Sequence, residues 1–359
     1  LGMEDGEELA YLKHTPSSEL GSCRYKLKDP EEDASDYARI LEIFRKYDVR
    51  YFFYNGGNDS MDTIAKISRY MREKGYECRC MGIPKTIDND LYGTDHTPGF
   101  GSAAKYIATS FMEIWHDAFV YDTPMIAVVE CMGRNAGWLT AASVLAGEKG
   151  FGPDLVYVPE LDFDLESFTQ AVKRVYDEKK KCIVAVSEGI HDAQGRLIAS
   201  YASGDLAVDA FGHSEMGGTA AYLARQMQRL TGAKVRAVEI SLLQRCAAHC
   251  ASKVDIEESC AAGRAAVEYA VSGFTDKMVG FARSAGEDGS YRCDTCLLDL
   301  AKVANAEKKL PREWINEEGN GILRPFVEYC LPLIQGRSDL CWEDGLPRFV
   351  RLKKVKAQP

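Results

Sequence analysis

The sequence of 359 residues lacks an excess of positive charge, because 44 lysines and arginines stand against 54 aspartates and glutamates, a formal net charge of −10. This balance argues against binding to nucleic acid or to an anionic membrane surface. Any polyanionic substrate must therefore bind in a local basic pocket. The sequence also lacks an apolar run long enough to span a bilayer and a signal-peptide pattern at its start, so we expect a cytoplasmic protein.

The twelve cysteines lack the tight spacing of a small secreted disulfide scaffold, which favours reduced thiols. Cys293 and Cys296 form one C-x-x-C pair, but no second pair or histidine partner follows at zinc spacing. A packed segment or a solvent-exposed loop is therefore a simpler interpretation of this pair than a metal site.

Short apolar runs typical of buried strands alternate along the chain with amphipathic helical patterns. The runs are Tyr51–Tyr54, Cys80–Ile83, Met125–Cys131, Leu155–Val158, Ile183–Val186, Val235–Ile240 and Met278–Phe281. The helical patterns are Asp36–Lys46, Met61–Lys74, Gly101–Trp115, Leu165–Glu178, Thr219–Leu230 and Glu257–Val271. This alternation predicts a mostly parallel, doubly wound α/β fold whose ligands bind at the carboxyl ends of the strands. The length suggests about two lobes.

Glycines follow the first apolar run in the segment Asn55-Gly-Gly-Asn-Asp-Ser60, which leads into a helical pattern. Glycines at a strand-to-helix turn let backbone amides approach a phosphate, and the helix N-terminus adds a favourable dipole. Without other evidence, a turn that merely caps the next helix would explain the segment equally well.

The segment Met81-Gly-Ile-Pro-Lys-Thr-Ile-Asp-Asn-Asp90 places one lysine, one hydroxyl and two carboxylates directly after the second run. Such a cluster suits phosphoryl transfer, because a carboxylate can accept a sugar hydroxyl proton while fixed cations stabilise the moving charge. Asp88 is the candidate base, Thr86 a hydroxyl donor and Lys85 a cation beside the transferred phosphate. The alternative is a capped turn with surface charges, which the preceding strand, the carboxylate pair and the helix near Gly99 disfavour.

Further polar side chains follow later strands. Arg134 projects from a glycine turn and could bind phosphate, although a surface ion pair is an equally common role. Glu188, at the end of another apolar run, could accept hydrogen bonds from sugar hydroxyls or cap the following turn. Arg236 and Arg245 flank an apolar run and could hold a terminal phosphate, with solvated basic residues as the alternative.

Taken in order, these clusters resemble the phosphofructokinase family. The matched elements are Leu20-Gly-Ser-Cys-Arg24, Gly56-Gly-Asn-Asp-Ser60, Pro84-Lys-Thr-Ile-Asp-Asn-Asp90, Met132-Gly-Arg134, Glu188, Arg236 and Gln244-Arg245. Two positions, Asp59 and Lys85, resemble the pyrophosphate-dependent branch, because the ATP-dependent members have glycine there. A carboxylate at Asp59 would repel the α-phosphate of ATP, and Lys85 would stabilise the departing phosphate of pyrophosphate.

The resemblance implies reversible phosphoryl transfer from pyrophosphate to C1 of fructose 6-phosphate, with Mg²⁺ as cofactor. It implies that Asp88 accepts the proton and that Lys85, Asp59, Thr86 and Arg134 also take part in catalysis. The implied substrate-binding residues are Thr86, Ile87, Asp88, Met132, Gly133, Arg134, Glu188, Arg236, Leu242, Leu243, Gln244 and Arg245. The implied donor-phosphate residues are Arg24, Gly56, Gly57, Asn58, Asp59 and Ser60, and the implied metal ligands are Asn58 and Asp90.

The resemblance also implies two lobes of phosphofructokinase type. Residues 1–99 with about 246–305 would bind the donor phosphate, and residues 100–245 with about 306–359 would bind the sugar phosphate. One arginine of the family's 6-phosphate clamp comes from a neighbouring subunit, so we expect a homodimer or a higher homo-oligomer. Family members carry a first strand and a glycine-rich phosphate turn ahead of the element at Leu20, which this sequence does not contain. An incomplete donor-phosphate cradle and an exposed sheet edge are therefore expected.

The sequence departs from the family pattern at three positions. Asn58 stands where the family has a metal-binding aspartate, Met125 where it has a second arginine, and Leu242 where it has a histidine. We therefore expect metal binding to depend on Asp90 and on the donor itself, and the 6-phosphate contacts to be weaker. The ATP-dependent enzyme of the same family remains one alternative. A non-catalytic sugar-phosphate-binding or regulatory subunit is another, which the retained Asp88 disfavours.

Overall fold

Ten β-strands alternate with helices in the computed structural model, which describes residues 2–23, 25–203 and 218–355. In chain order the strands are β1 (Tyr51–Gly56), β2 (Arg79–Pro84), β3 (Met125–Cys131), β4 (Leu155–Tyr157), β5 (Lys181–Ser187), β6 (Val235–Glu239), β7 (Lys277–Ala285), β8 (Tyr291–Asp299), β9 (Trp342–Glu343) and β10 (Leu346–Pro347).

The α-helices are α1 (Gly6–Ala10), α2 (Ser35–Lys46), α3 (Asn58–Glu73), α4 (Phe100–Phe119), α5 (Trp138–Ala141), α6 (Leu165–Lys179), α7 (Ser200–Ser203), α8 (Thr219–Thr231), α9 (Lys253–Val271), α10 (Leu300–Val303) and α11 (Arg324–Cys330). Short 3-10 helices span Tyr11–His14, Ala142–Lys149, Ser241–Arg245, Ala248–Cys250, Arg312–Trp314 and Leu331–Ile334. Within the described residues, no helix combines the length and apolarity needed to cross a bilayer.

The first sheet has the strand order β1-β2-β7-β8. The β1–β2 and β2–β7 pairs are parallel, whereas β7 and β8 are antiparallel. Successive side chains of a strand point to opposite faces, so Met278 and Val279 of β7 belong to two different core clusters. Met61 of α3 packs in the first cluster and Ala262 of α9 packs in the second, so helices cover both faces.

The second sheet has the order β4-β5-β3-β6, and all of its pairs are parallel. Every residue of β3 and β5 is buried, which is typical of parallel strands covered on both faces. Phe168 of α6 and Leu223 of α8 pack on one face, while Phe111 of α4 and Phe326 of α11 pack on the other. The predicted doubly wound, mostly parallel α/β fold is thus confirmed.

A buried carboxylate joins the two halves of the structure. Helix α4, which packs in the core of the second sheet, begins after Gly99 at a positive φ of 103°. Its first amides are satisfied by Asp255 of α9, which accepts from Gly99 N at 2.8 Å and from Ser102 N at 3.0 Å. Because α9 covers the first sheet, this cap fixes the position of α4 relative to both sheets.

The sequence pattern did not predict strand β8 or helix α11. Cys293 and Cys296 lie on β8 and not in a loop. Three residues apart on a strand, their side chains point to opposite faces, so the two thiols cannot share a metal ion. Two predicted helix starts were also late, because α3 begins at Asn58 and α9 at Lys253.

Candidate active site

Two turns meet at the carboxyl end of the first sheet. Strand β1 ends at Gly56, where a side chain would overlap Ser60 in the first turn of α3. The carbonyl of Gly56 accepts a hydrogen bond from Lys85 N at 3.0 Å, which joins this turn to the loop after β2. Asn58 and Asp59 are the first residues of α3, so the exposed Asp59 carboxylate lies at the positive end of the helix dipole.

The loop after β2 holds the candidate base in a short hydrogen-bonded turn. The Thr86 hydroxyl donates to Asp88 Oδ2 at 3.0 Å and accepts from Asp88 N at 3.1 Å. Thr97 also stabilises the turn, because its hydroxyl donates to the Thr86 carbonyl at 2.7 Å. The orientation of the Asp88 carboxylate is therefore fixed by the protein before any substrate binds.

Three cations from three segments surround that carboxylate. Burial raises the pKa of Asp88, while the positive charges of Lys85, Arg134 and Arg245 oppose the shift. Lys85 comes from the loop after β2, Arg134 from the turn after β3, and Arg245 from the 3-10 helix that follows β6. A raised pKa makes the carboxylate a better proton acceptor, and nearby cations suit a substrate that carries phosphate.

The turn after β3 is held by side chains from two other segments. Gly133 has a φ of 129°, a conformation that favours glycine. Its N–H donates to Glu188 Oε1 at 3.2 Å, and Met132 N donates to Gln244 Oε1 at 3.1 Å. Burial raises the pKa of Glu188, and the negative charge of Asp88 adds to the shift. Glu188 therefore supports the turn and also faces the same cluster as Asp88.

Ser187 and Gly189, on either side of Glu188, hold the same turn. The buried Ser187 hydroxyl donates to the Gly133 carbonyl and accepts from Gly189 N at 3.2 Å. A side chain at Gly189 would overlap the backbone of Arg134. The sequence interpretation singled out only Glu188 in this segment, although a serine and a glycine at a strand end are themselves signals of a tight turn.

Asn58 and Asp90, the predicted metal ligands, lie together beside these turns. Asn58 Nδ2 donates to Asp90 Oδ2 at 3.3 Å, and Asn58 Oδ1 is buried without a hydrogen-bond partner among the described residues. Burial raises the pKa of Asp90 to about 7, and the charge of Asp88 adds to the shift. An unpartnered amide oxygen beside a carboxylate fits a divalent cation.

A cavity of about 520 Å³ opens beside the loop after β2. Its wall includes the predicted residues Lys85, Ile87, Gln244 and Arg245, and also the N-terminal segment 12–17. Leu242 and Leu243, which were predicted to bind substrate, are each 56% exposed and do not line this cavity.

Arg236 lies apart from the cluster. It is the second residue of β6 and pairs in register with Ala127, whereas the cluster follows the carboxyl ends of the strands. Four residues of extended chain, about 13 Å, separate it from Ile240. Its guanidinium donates to Asp117 Oδ2 at 2.7 Å near the end of α4. Arg236 and Arg245 therefore do not meet within one chain, and a role for Arg236 in substrate binding stays a prediction about a second subunit.

Gly57 is the N-cap of α3, and its carbonyl accepts from Ser60 N at 3.0 Å. Arg24, predicted at the donor phosphate, lies outside the described residues. Sequence reasoning missed Lys308, whose ammonium donates to the Asp95 carbonyl at 2.7 Å beneath the loop after β2. No local pattern marks this lysine, because it lies in an irregular segment between α10 and α11.

The chain is similar to known proteins in sequence and in fold. A family model described as phosphofructokinase matches residues 3–251. The pyrophosphate–fructose 6-phosphate 1-phosphotransferase of Xanthomonas campestris pv. campestris is 45% identical over 359 residues, which cover 98% of this chain and 84% of the relative. The protein of the same name from Halomonas elongata is 42% identical over 361 residues, which cover 100% of this chain and 85% of that protein. The solved pyrophosphate-dependent phosphofructokinase from Nitrosospira multiformis superposes with a TM-score of 0.88 at 37% identity, covering 100% of this chain and 84% of that one. This chain belongs to the phosphofructokinase family.

Proposed function

We propose that this chain transfers a phosphoryl group from pyrophosphate to the C1 hydroxyl of fructose 6-phosphate, giving fructose 1,6-bisphosphate and phosphate. The observation that carries the proposal is the partly buried Asp88 carboxylate, fixed by Thr86 and faced by Lys85, Arg134 and Arg245. The names of the relatives from Xanthomonas and Halomonas support the same donor and acceptor.

In this mechanism Asp88 accepts the proton of the C1 hydroxyl. The freed electron pair of that oxygen forms a bond to one phosphorus of pyrophosphate, and the bond from this phosphorus to the bridging oxygen breaks. Lys85 stabilises the charge on the departing phosphate. Because the pKa of Asp88 is raised by burial, the carboxylate is better matched to proton transfer near neutral pH than an exposed aspartate would be.

The sugar phosphate is held on the other side of Asp88. Glu188 accepts hydrogen bonds from sugar hydroxyls, Met132 and Gly133 line the sugar, and Arg245 binds the 6-phosphate. Gln244 acts mainly by holding the backbone of Met132, because its side-chain amide oxygen already accepts from Met132 N. Arg134 lies within electrostatic reach of both Asp88 and Glu188, which suits contact with the transferred phosphoryl group.

Asn58 and Asp90 would hold Mg²⁺ on the donor side of the site. When bound, the ion neutralises charge on the phosphate oxygens of pyrophosphate. The unpartnered Asn58 Oδ1 supports this assignment, and the absence of one carboxylate relative to an aspartate pair implies that the donor supplies further oxygen ligands.

Asp59 and Lys85 select the donor. Asp59 is exposed in the first turn of α3, where a carboxylate repels a nucleotide α-phosphate approaching the helix N-terminus. In the double variant Asp59→Gly with Lys85→Gly, ATP should bind better and pyrophosphate should react more slowly. An unchanged donor preference in this variant would remove both residues from donor selection.

The proposal is tested by measuring fructose 1,6-bisphosphate formed from fructose 6-phosphate and Mg²⁺, with pyrophosphate and ATP in parallel reactions. We expect activity with pyrophosphate and none with ATP. Activity with ATP alone would overturn the donor assignment. Binding of fructose 6-phosphate by calorimetry without turnover with either donor would favour a non-catalytic subunit.

A further inference from the structure

A segment that carries no predicted function, residues 306–308, runs alongside the catalytic loop. Leu91 and Glu307 form an antiparallel bridge, and Lys308 N donates to the Asp90 carbonyl at 2.7 Å. The segment is also fixed from its other side, because Trp138 Nε1 donates to the Lys308 carbonyl at 2.9 Å. The backbone of Lys308 is thus held directly against the loop that carries Asp88.

The side-chain nitrogen of Lys308 donates hydrogen bonds to the same loop. It donates to Asn89 Oδ1 at 3.2 Å, to the Thr94 carbonyl at 3.2 Å and to the Asp95 carbonyl at 2.7 Å. It also lies 4.9 Å from the centre of the Trp138 ring, a cation–π distance. One side-chain nitrogen therefore contacts both ends of the stretch from Asn89 to Asp95.

Asn89 connects the side chain of Lys308 to the loop that carries Asp88 and Asp90. It lies between the candidate base Asp88 and the metal-ligand candidate Asp90, is fully buried, and has a φ of 56°. Asparagine tolerates this left-handed conformation, and here its side chain is fixed on both sides. Nδ2 donates to the Tyr329 hydroxyl at 2.9 Å, while Oδ1 accepts from Lys308.

We propose that Lys308 is a positioning residue for phosphoryl transfer, which acts through Asn89 to hold Asp88 and Asp90 in their relative orientation. The proposal rests on the function proposed above. Lys308 does not touch the substrate in this role. A displacement of about 1 Å at reacting groups can cost roughly 100-fold in rate, so loss of this support should lower kcat more than it raises KM.

The first test compares Lys308→Met with Lys302→Met, a matched control on an exposed lysine of α10 whose side chain is 78% exposed. Lys308→Met should lower kcat by roughly 10- to 100-fold, with KM for fructose 6-phosphate within about twofold of the parent. Lys308→Arg should restore part of the rate, because a guanidinium also donates to carbonyls and stacks on Trp138. An unchanged kcat in Lys308→Met, or a rise in KM alone, would overturn the proposal.

The second test asks whether Lys308 acts through Asn89. Asn89→Gly keeps the left-handed backbone accessible but removes the side-chain link, so it should lower kcat as Lys308→Met does. The double variant should then lose little more than either single variant, whereas fully additive losses would show that the two residues act independently and would contradict the proposal.

Hydrogen–deuterium exchange tests the positioning role of Lys308 without requiring turnover. Lys308→Met should speed exchange in peptides that cover residues 86–95 and leave peptides of β3 and β5 unchanged, whereas Lys302→Met should change neither. Unchanged exchange at residues 86–95 would refute the positioning role whatever the substrate is. Faster exchange throughout the chain would show a general loss of stability and would refute it equally.

Discussion

Asp88 combines partial burial with a fixed orientation, which is what a proton acceptor needs and what a solvated surface aspartate lacks. Asp88→Asn keeps the shape and can still accept the Thr86 hydrogen bond, but it cannot take a proton. Turnover should fall by roughly 10²- to 10⁴-fold, while the affinity for fructose 6-phosphate stays within a small factor. Steady-state kinetics together with calorimetric binding measure the two effects separately. Asp288→Asn, in an exposed turn, is the control, and a near-normal rate for Asp88→Asn would remove Asp88 from the mechanism.

Glu130 is a buried carboxylate and the penultimate residue of β3, the strand that leads into the turn carrying Arg134. Its Oε2 accepts from Ala220 N at 2.8 Å at the start of α8. Burial raises its pKa to about 7, and the charges of Glu239 and Glu188 add to the shift. The folded state therefore holds this proton more tightly than the unfolded chain does.

The raised pKa of Glu130 makes the free energy of unfolding depend on pH. The stability that Glu130 contributes through its raised pKa is fully present below the unfolded pKa of about 4.5. It is lost as pH rises through the folded pKa of about 7. Glu130→Gln keeps the oxygen that accepts from Ala220 and is neutral at every pH. Its free energy of unfolding relative to the parent should rise between about pH 5 and pH 8, by at most about 3 kcal/mol. Urea unfolding at both values measures it, with exposed Glu317→Gln as control, and a difference independent of pH would contradict the assignment.

At the scale of elements, the turn after β5 supports the turn after β3 through direct backbone contact. A methyl group at Gly189 would overlap the Arg134 carbonyl, and no side-chain rotation can relieve a contact with backbone. Gly189→Ala should therefore displace Arg134 and lower kcat/KM by roughly 10- to 100-fold. Gly147→Ala is a suitable control, because a side chain there meets no atom within 4 Å. Equal kinetics in the two variants would show that the Arg134 turn adjusts freely.

The strand-end turns could be predicted from sequence, because carboxyl ends of parallel strands meet at one edge of a sheet. Asp88, Arg134 and Glu188 were chosen on that ground, and the structure brings them together. Strand β8 could not be predicted from the βα alternation, since it is an antiparallel edge strand. Lys308 could not be predicted either, because its role depends on contacts made by tertiary packing, which a local pattern does not encode.

At the scale of the whole molecule, one chain does not bring every predicted phosphate ligand to one place. Arg236 lies near the amino end of β6, which is the edge strand of the second sheet, and its side chain is 43% exposed. Arg245 lies beyond the carboxyl end of the same strand, near Asp88. An exposed arginine on an open sheet edge is available to a second copy of the chain, as the family resemblance implies.

A hybrid dimer decides whether Arg236 serves the site of its own chain or that of a partner. One subunit carries Asp88→Asn and the other Arg236→Ala, and two different affinity tags isolate the hybrid from the two parent dimers. If Arg236 acts across the interface, the Arg236→Ala subunit keeps its own Asp88 and receives Arg236 from its partner. One of the two sites is then complete, and the hybrid should show about half of the parent activity while both homodimeric variants stay nearly inactive. If Arg236 acts within its own chain, neither site is complete and the hybrid should be as inactive as the homodimers. Light scattering that finds only monomers at assay concentration would contradict the shared site directly.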